Sequence, residues 1–307
     1  MNYMDFFEIQ LEITSSCKLK CIHCSSEPVI NSGILEINYS IEDVKHFINQ
    51  LILKTDEGSV HLTGGEPLLY KDLPKLIENF KKINPKLKLG LFSSGIIFDA
   101  DNKIIPMNTE YVKTLKTAGL EEINLSVYSH IPSKHDYIVG KTGAFDITLQ
   151  TAVELIKHDI NVNFNVAISK INIDNLLEIV ELAKQAKVKG VRFLRLVKHG
   201  RAIANWETIG LSDREQEKAL VKLLEMTNCK DGYITVGGFP HLMPCRPYKT
   251  ATGCQAGKCF FYIDLFGNVF PCGCTKNNEN HRIVNISQIN TASELSCEFS
   301  CIKENYC

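Results

Sequence analysis

Short β-rich runs alternate with longer amphipathic ones along most of the chain, the pattern of repeated βα units around a parallel sheet. Strands are expected near 7–14, 59–62, 87–92, 122–127, 161–168 and 190–196. Helices are expected near 40–54, 72–83, 109–118, 143–158, 174–187 and 212–227. Start signals support the helices: Ser40 with Asp43, Asp174 ahead of an apolar periodicity, and Ser212 with Glu215 as a capping box. Six βα units cannot close the usual eight-stranded barrel. In sheets of this kind ligands sit at the carboxyl ends of the strands. From about Gly232 onward the chain is rich in Gly, Pro, Asn and Cys and lacks long helical periodicity. A boundary between 211 and 240 is therefore expected, with an α/β domain over 1–210 and a linker helix and cysteine-rich domain over 211–307.

Composition narrows the function more than the fold. The 34 basic and 35 acidic residues give a net charge of −1, which offers no general attraction to nucleic acid or an anionic membrane. No basic segment leads into a long apolar stretch at the amino terminus, and no run of about 18 apolar residues occurs, so a cytoplasmic protein is expected. Twelve cysteines without an export signal point to metal binding in a reducing compartment rather than to disulfides. Three of them precede residue 25 and nine follow residue 228, so the stretch between needs no thiol.

Cys17, Cys21 and Cys24 follow the apolar run 6–13 directly, in the spacing Cys-x3-Cys-x2-Cys. Three thiolates so close on one loop can each bind an iron of a cubane [4Fe–4S] cluster, which leaves one iron without a protein ligand and open to chemistry. The alternative is structural zinc, but zinc modules pair Cys-x2–4-Cys with a second Cys or His pair. His23 lies between two of the cysteines and is poorly placed to face the same metal.

In this loop after the first strand the chain resembles the radical S-adenosylmethionine (SAM) superfamily. The resemblance implies a partial (β/α)6 barrel of the TIM type, a [4Fe–4S] cluster chelated by SAM, and reductive cleavage of SAM to a 5′-deoxyadenosyl radical that takes a hydrogen from substrate. Further segments carry the same resemblance. Gly64, Gly65, Glu66 and Pro67 are similar to the Gly-Gly-Glu-Pro motif that contacts the SAM amino group, with paired glycines for close approach and Pro67 holding Glu66 extended. Ser94 and Ser126 stand at the ends of the third and fourth strands, where the family contacts ribose and carboxylate; turn and capping chemistry is the other reading of both. His135-Asp136-Tyr137-Ile138-Val139-Gly140 resembles a segment that often reads His-Asp-x-x-Arg-Gly, with Val139 in place of the arginine. Lys141, Arg192 and Arg195 are the substitutes for a carboxylate partner. Gly200-Arg201-Ala202 resembles a stretch found in peptide- and haem-modifying relatives.

The second set of cysteines resembles the SPASM extension or its shorter twitch form, which carries auxiliary iron–sulfur clusters. Cys254-x4-Cys259-x7-Gly267-x4-Cys272 is the matching stretch, 264–272 reads as a hairpin that delivers a cysteine, and Cys297, Cys301 and Cys307 supply later ligands. The full pattern expects Cys-x2-Cys-x5-Cys-x3-Cys and one more cysteine, whereas this chain has x3 in the first gap. One or two auxiliary [4Fe–4S] clusters are therefore expected, with zinc or buried free thiols as the alternatives. Cys229 is a hydrogen-atom donor candidate or the end of a helix.

The resemblance implies modification of a ribosomally made peptide by crosslinking, epimerisation or oxidation. A small-molecule dehydrogenase or decarboxylase is the alternative, and a non-catalytic iron–sulfur or zinc protein is the reading of another class. A one-electron donor such as flavodoxin or ferredoxin is expected as partner. Only 16 residues precede Cys17, so no fused leader-binding domain is expected there, and a peptide would need a separate leader-binding protein or another docking surface.

Overall fold

The computed structural model describes residues 6–26, 36–53, 55, 57–226, 232–238, 255–276 and 278–289. In chain order the strands are β1 (Phe7–Thr14), β2 (Gly58–Gly64), β3 (Lys88–Ser93), β4 (Ile96–Phe98), β5 (Ile104–Pro106), β6 (Glu122–Ser126), β7 (Asn161–Ile168), β8 (Gly190–Arg195), β9 (Ile234–Gly237), β10 (Phe260–Ile263), β11 (Asn268–Phe270) and β12 (Val284–Asn285). The helices are α1 (Ile41–Ile52), α2 (Leu73–Ile83), α3 (Thr109–Ala118), α4 (Pro132–Val139), α5 (Ala144–Lys157), α6 (Leu176–Gln185), α7 (Arg201–Ala204), α8 (Trp206–Ile209) and α9 (Asp213–Met226). Among the described residues, no helix is long and apolar enough to cross a membrane.

Ten strands join one sheet in the order β12-β11-β10-β1-β2-β3-β6-β7-β8-β9. The six strands expected from the sequence form its centre, and all of their pairings are parallel. Two additions lengthen the parallel run: β9 beside β8 and β10 beside β1. The described residues after 231 thus continue the same sheet at both edges, with β11 and β12 antiparallel beyond β10. The hairpin expected around 264–272 is the β10–β11 turn, where the Asp264 carboxylate accepts from the Phe266 and Asn268 amides at 2.9 and 2.8 Å.

Strand alternation sorts the side chains onto two faces. Phe7, Ile9, Leu11 and Ile13 of β1 are buried in one apolar layer with Phe47 of α1, Phe80 of α2, Leu155 of α5 and Ile179 of α6. Glu8, Gln10 and Glu12 alternate with them and face the other way. The sheet curls around that second face. Arg192 of β8 approaches Glu8 of β1 at 3.8 Å, although five inter-strand steps separate the two strands. A flat sheet would hold them about 24 Å apart, at roughly 4.8 Å per step. This is a partial barrel of mixed α/β class, with the helices packed on its outer face.

The helix starts obey the expected chemistry in two cases of three. Ser40 and Asp43 form a reciprocal capping box on α1, and Ser212 accepts from Glu215 N while the Glu215 carboxylate accepts from Ser212 N at 2.8 Å ahead of α9. Asp174 does not cap α6. It sits in a short 3-10 turn (Ile173–Asn175), and the helix begins at Leu176 without a side-chain cap. The turn is fixed instead by buried Asn172, which accepts from Ser169 N at 2.8 Å and donates to the Tyr128 and Ala167 carbonyls, each at 2.9 Å.

Candidate active site

The cysteine loop leaves β1 at the carboxyl end of the barrel and is held by elements far away in sequence. Lys20 N donates to Val139 O at 3.1 Å and Ile22 N to Ile138 O at 2.9 Å, so the loop is docked on the last turn of α4. From the other side Arg201 Nε donates to Cys21 O at 2.8 Å and Arg201 N to Cys24 O at 3.0 Å. Asn205 Nδ2 adds a bond to Ile22 O at 3.1 Å. Gly200 precedes this clamp with φ +54°, and a Cβ there would fall 2.6 Å from Cys24 O, so a side chain is excluded by both backbone and space. Leu19, buried, anchors the loop's middle against Ile96, Tyr128, Ile138 and Val139, with Cys17 and Cys21 packed at the edge of this cluster.

All three cysteines are free and half-buried. Burial pushes the Cys17 thiol up to about 12, with the Glu66 carboxylate adding to the rise. Cys21 is raised by burial and then by the proximity of Cys24 and Cys17, while Arg201 works in the opposite direction on both. Thiols gathered in this way resist joint ionisation because each new negative charge opposes the next. Iron cations held there would invert that balance and favour the thiolates. Among the described residues no three side chains converge on a single metal ion, and the Cys24 thiol donates to Ser26 O at 2.6 Å; three reduced thiols on one clamped loop fit a cubane cluster by their chemistry, since each would bind a different iron. His23 packs edge-on against Tyr128 with ring centres 4.3 Å apart, and burial lowers its pKa to about 4.

The Gly64–Pro67 segment crosses directly under the loop. Gly65 N donates to Thr14 O and Glu66 N to Ser16 O, both at 2.7 Å. A Cβ on Gly65 would lie 2.2 Å from Ser16 O, so only glycine permits this approach. The Glu66 side chain is buried and turned into the fold. It accepts from Ser93 Oγ at 2.6 Å, Ser94 N at 2.9 Å, Ser94 Oγ at 2.5 Å and Leu68 N at 3.2 Å. Burial raises its pKa and those four bonds oppose the rise. Ser94, expected at a ribose or carboxylate contact, has its hydroxyl committed to Glu66.

The inner face of the barrel is polar. His61 of β2 reaches Glu122 of β6 at 3.3 Å across Gly90, where a Cβ would stand 2.6 Å from the imidazole. Asn124 Nδ2 donates to Glu122 at 3.0 Å, and Asn163 Nδ2 to Asn124 Oδ1 at 3.3 Å. Burial raises Glu122, but the bonds from His61 and Asn124 outweigh it and bring its pKa down to about 2. Glu8 Oε1 lies 3.9 Å from His61 Nδ1 and 3.8 Å from Arg192 Nη1, and it has no hydrogen-bond partner. His61 Nδ1 and Asn165 Oδ1 are likewise buried without one. Ser126 pairs in register with Asn165 at the carboxyl rim, and its side chain is hydrogen-bonded to Tyr128. Arg192 therefore belongs to the barrel interior. Alternation sets Arg195 on the opposite face, at the register position of Ile168.

Near the barrel mouth Lys276 reaches back from the C-terminal region to Glu12 at 3.0 Å and Tyr262 at 3.1 Å, and it also meets Ser26, two residues after Cys24. Cys259 is buried just before β10, and its thiol donates to Gln255 Oε1 at 3.2 Å. Gly257 N donates to Pro271 O at 3.1 Å, which lays the segment carrying Cys259 beside the one carrying Cys272. Cys229, Cys254, Cys297, Cys301 and Cys307 lie outside the described residues. The loop clamp by Arg201 and Asn205 was not anticipated from the sequence; the Gly200-Arg201-Ala202 stretch was its one visible trace.

Similarity to known proteins agrees with this geometry. The chain is 26% identical over 284 residues to the AdoMet-dependent heme synthase of Methanosarcina barkeri, covering 86% of this chain and 76% of that one. It is 29% identical over 204 residues to the GTP 3′,8-cyclase of Syntrophomonas wolfei, covering 65% of this chain and 56% of the cyclase. Among solved structures, SuiB of Streptococcus suis bound to precursor peptide SuiA superposes with a TM-score of 0.68 at 16% identity, over 97% of this chain and 66% of SuiB. Native anSMEcpe with bound AdoMet and Cp18Cys peptide gives 0.68 at 18% identity, over 95% of this chain and 80% of that one. The Radical SAM superfamily model matches residues 11–189, more than half of the 307 residues. With its three-cysteine loop after the first strand of a parallel partial barrel, this chain belongs to the Radical SAM superfamily.

Proposed function

We propose that the chain is a radical SAM enzyme that modifies a ribosomally made peptide. The observation that carries this reading is the extent of the superposition: 95–97% of the chain, well beyond the barrel, follows two enzymes whose structures hold peptides. Cys17, Cys21 and Cys24 hold the [4Fe–4S] cluster, and Arg201 and Asn205 keep the loop at the rim. Bound there, the cluster and SAM supply one-electron reduction and a carbon-centred radical. Gly64 and Gly65 bring the backbone against the loop, while Glu66 acts through Ser93 and Ser94 as a post for the strand ends rather than as a contact of its own. Ser126 and Arg192, both on the inner face, are the side chains set to meet SAM or substrate. Cys259 and Cys272, with Cys254 and the last three cysteines, supply the ligands of one or two auxiliary clusters of the SPASM or twitch kind.

A small-molecule substrate is the second reading, favoured by the names of the sequence relatives, a heme synthase and a GTP cyclase. The test is deuterium transfer into 5′-deoxyadenosine by the reconstituted, reduced enzyme. Deuterium from perdeuterated peptides encoded near the gene supports the proposal. Transfer from GTP or a tetrapyrrole, with none from peptide, overturns it.

A further inference from the structure

We infer that Lys276 is a positioning residue that couples the two cysteine sets: a filled site at Cys272 fixes Lys276, and Lys276 fixes the end of the loop that carries Cys24. The inference rests on the reading of Cys272 as an auxiliary-cluster ligand. The stretch from Cys272 to Lys276 is one tight turn. Thr275 N and Thr275 Oγ1 both donate to Cys272 O, at 3.1 and 2.8 Å, so Lys276 leaves the turn from a position set by Cys272. A Cβ on Gly273 would stand 3.3 Å from the Tyr262 ring and 3.8 Å from Gln10 Oε1, which places the turn directly over inner-face residues of β10 and β1.

The Lys276 side chain is only 10% exposed, and its ammonium donors go to three separate parts of the fold. Nζ donates to the Glu12 carboxylate on β1 at 3.0 Å, to Tyr262 Oη on β10 at 3.1 Å and to the Ser26 hydroxyl at the end of the cysteine loop. The Ser26 carbonyl in turn accepts from the Cys24 thiol, so the two residues lie side by side. A chain of contacts therefore runs from Cys272 through Thr275, Lys276 and Ser26 to Cys24. The same turn has a second contact with the loop's supports, because the His199 ring is hydrogen-bonded to the backbone of Cys274 one residue before Gly200 of the clamp. A half-buried ammonium is costly unless its bonds are complete, and bonds to an ion are stronger than neutral ones, so displacing the turn breaks three of them together. Without a metal the turn is held by hydrogen bonds alone, and a metal-bound Cys272 adds a bond that pins it.

The test uses the full chain, anaerobically reconstituted, and follows loss of the loop cluster to a ferrous chelator. That cluster is tracked by the part of the reduced EPR signal that shifts on addition of SAM, which marks the cluster with the open iron. Lys276→Met is expected to speed its loss about tenfold or more, as removal of charged bonds implies. Ser26→Ala cuts the same contact from the loop's side, gives about fivefold, and decides the matter if Lys276→Met does not fold. Cys272→Ala loads less iron in total and speeds loss of the loop cluster about fivefold, but adds less than about twofold in the Lys276→Met or Ser26→Ala background, the non-additivity of a shared path. It keeps its full effect beside His199→Phe. Wild-type rates in both single variants, or effects that multiply in the double ones, overturn the coupling. An effect of Cys272→Ala that vanishes beside His199→Phe and persists beside Lys276→Met overturns the role of Lys276. Total iron in Cys272→Ala equal to that of wild type overturns the reading of Cys272 as a ligand instead, and the coupling falls with it.

Discussion

The outer and inner faces of the barrel sheet come from the same strands and are built from opposite materials. On β1, Phe7, Ile9, Leu11 and Ile13 pack under the helices, while Glu8, Gln10 and Glu12 point inward between them. On β7 the outward Val162, Phe164 and Val166 alternate with Asn163 and Asn165. Closed barrels usually fill their interior with branched apolar side chains. This one keeps charges and amides there, and leaves Glu8 Oε1, His61 Nδ1 and Asn165 Oδ1 buried without hydrogen-bond partners. Buried polar atoms cost stability when unpaired, so the inner face is shaped for a polar occupant, whereas the outer face carries the stability.

Substitutions break this comparison in a graded way. Phe164 is fully buried on the outer face, and Phe164→Ala is expected to cost about 3–5 kcal/mol in urea unfolding. His135 sharpens the comparison because it is a titratable group inside apolar packing, against Tyr128 and Phe145. Its Nδ1 accepts from Tyr128 N at 3.2 Å, which requires the neutral ring. Burial lowers its pKa from 6.5 to about 4. The unfolded chain therefore takes up a proton before the folded one as pH falls. The contribution of His135 is complete above pH 6.5 and is lost between there and about pH 4, by up to about 3 kcal/mol. His135→Asn should flatten that part of the stability profile.

Arg201→Met tests the clamp at the rim. Loss of the charged bond to Cys21 O is expected to cost about 1.5–3 kcal/mol and to speed loss of iron to a chelator, since only the backbone bond from residue 201 to Cys24 O remains. Asn163→Ala on the inner face removes the bonds to Asn124 and to the Glu122 carboxylate and should cost about 1.5 kcal/mol. If Asn163→Ala destabilises the protein as much as Phe164→Ala, the division of labour between the faces is wrong.

Much of the outer face was readable from the chain because local periodicity encodes it. The six central strands and their helices lie within a few residues of the expected spans. The missed elements lack that periodicity. β4 and β5 have three residues each, α4 spans a single short run from Pro132, and β10 finds its partner β1 about 250 positions away. The site divides in the same manner. Cysteine spacing displays the loop at once, but its supports are long-range: Arg201 meets Cys21 from 180 positions away and Lys276 meets Glu12 from 264. Glu66 was visible as part of a motif, yet its inward turn toward Ser93 and Ser94 is set by how β2 and β3 end side by side.

Iron and 5′-deoxyadenosine measured together, on anaerobically reconstituted wild type and on the Cys17→Ala/Cys21→Ala/Cys24→Ala variant under dithionite, test the central claim most directly. The account predicts that the variant loses about four irons per chain and all nucleoside product, while any remaining iron reports the auxiliary sites. Equal iron in both proteins, or SAM cleavage that survives in the variant, would contradict it.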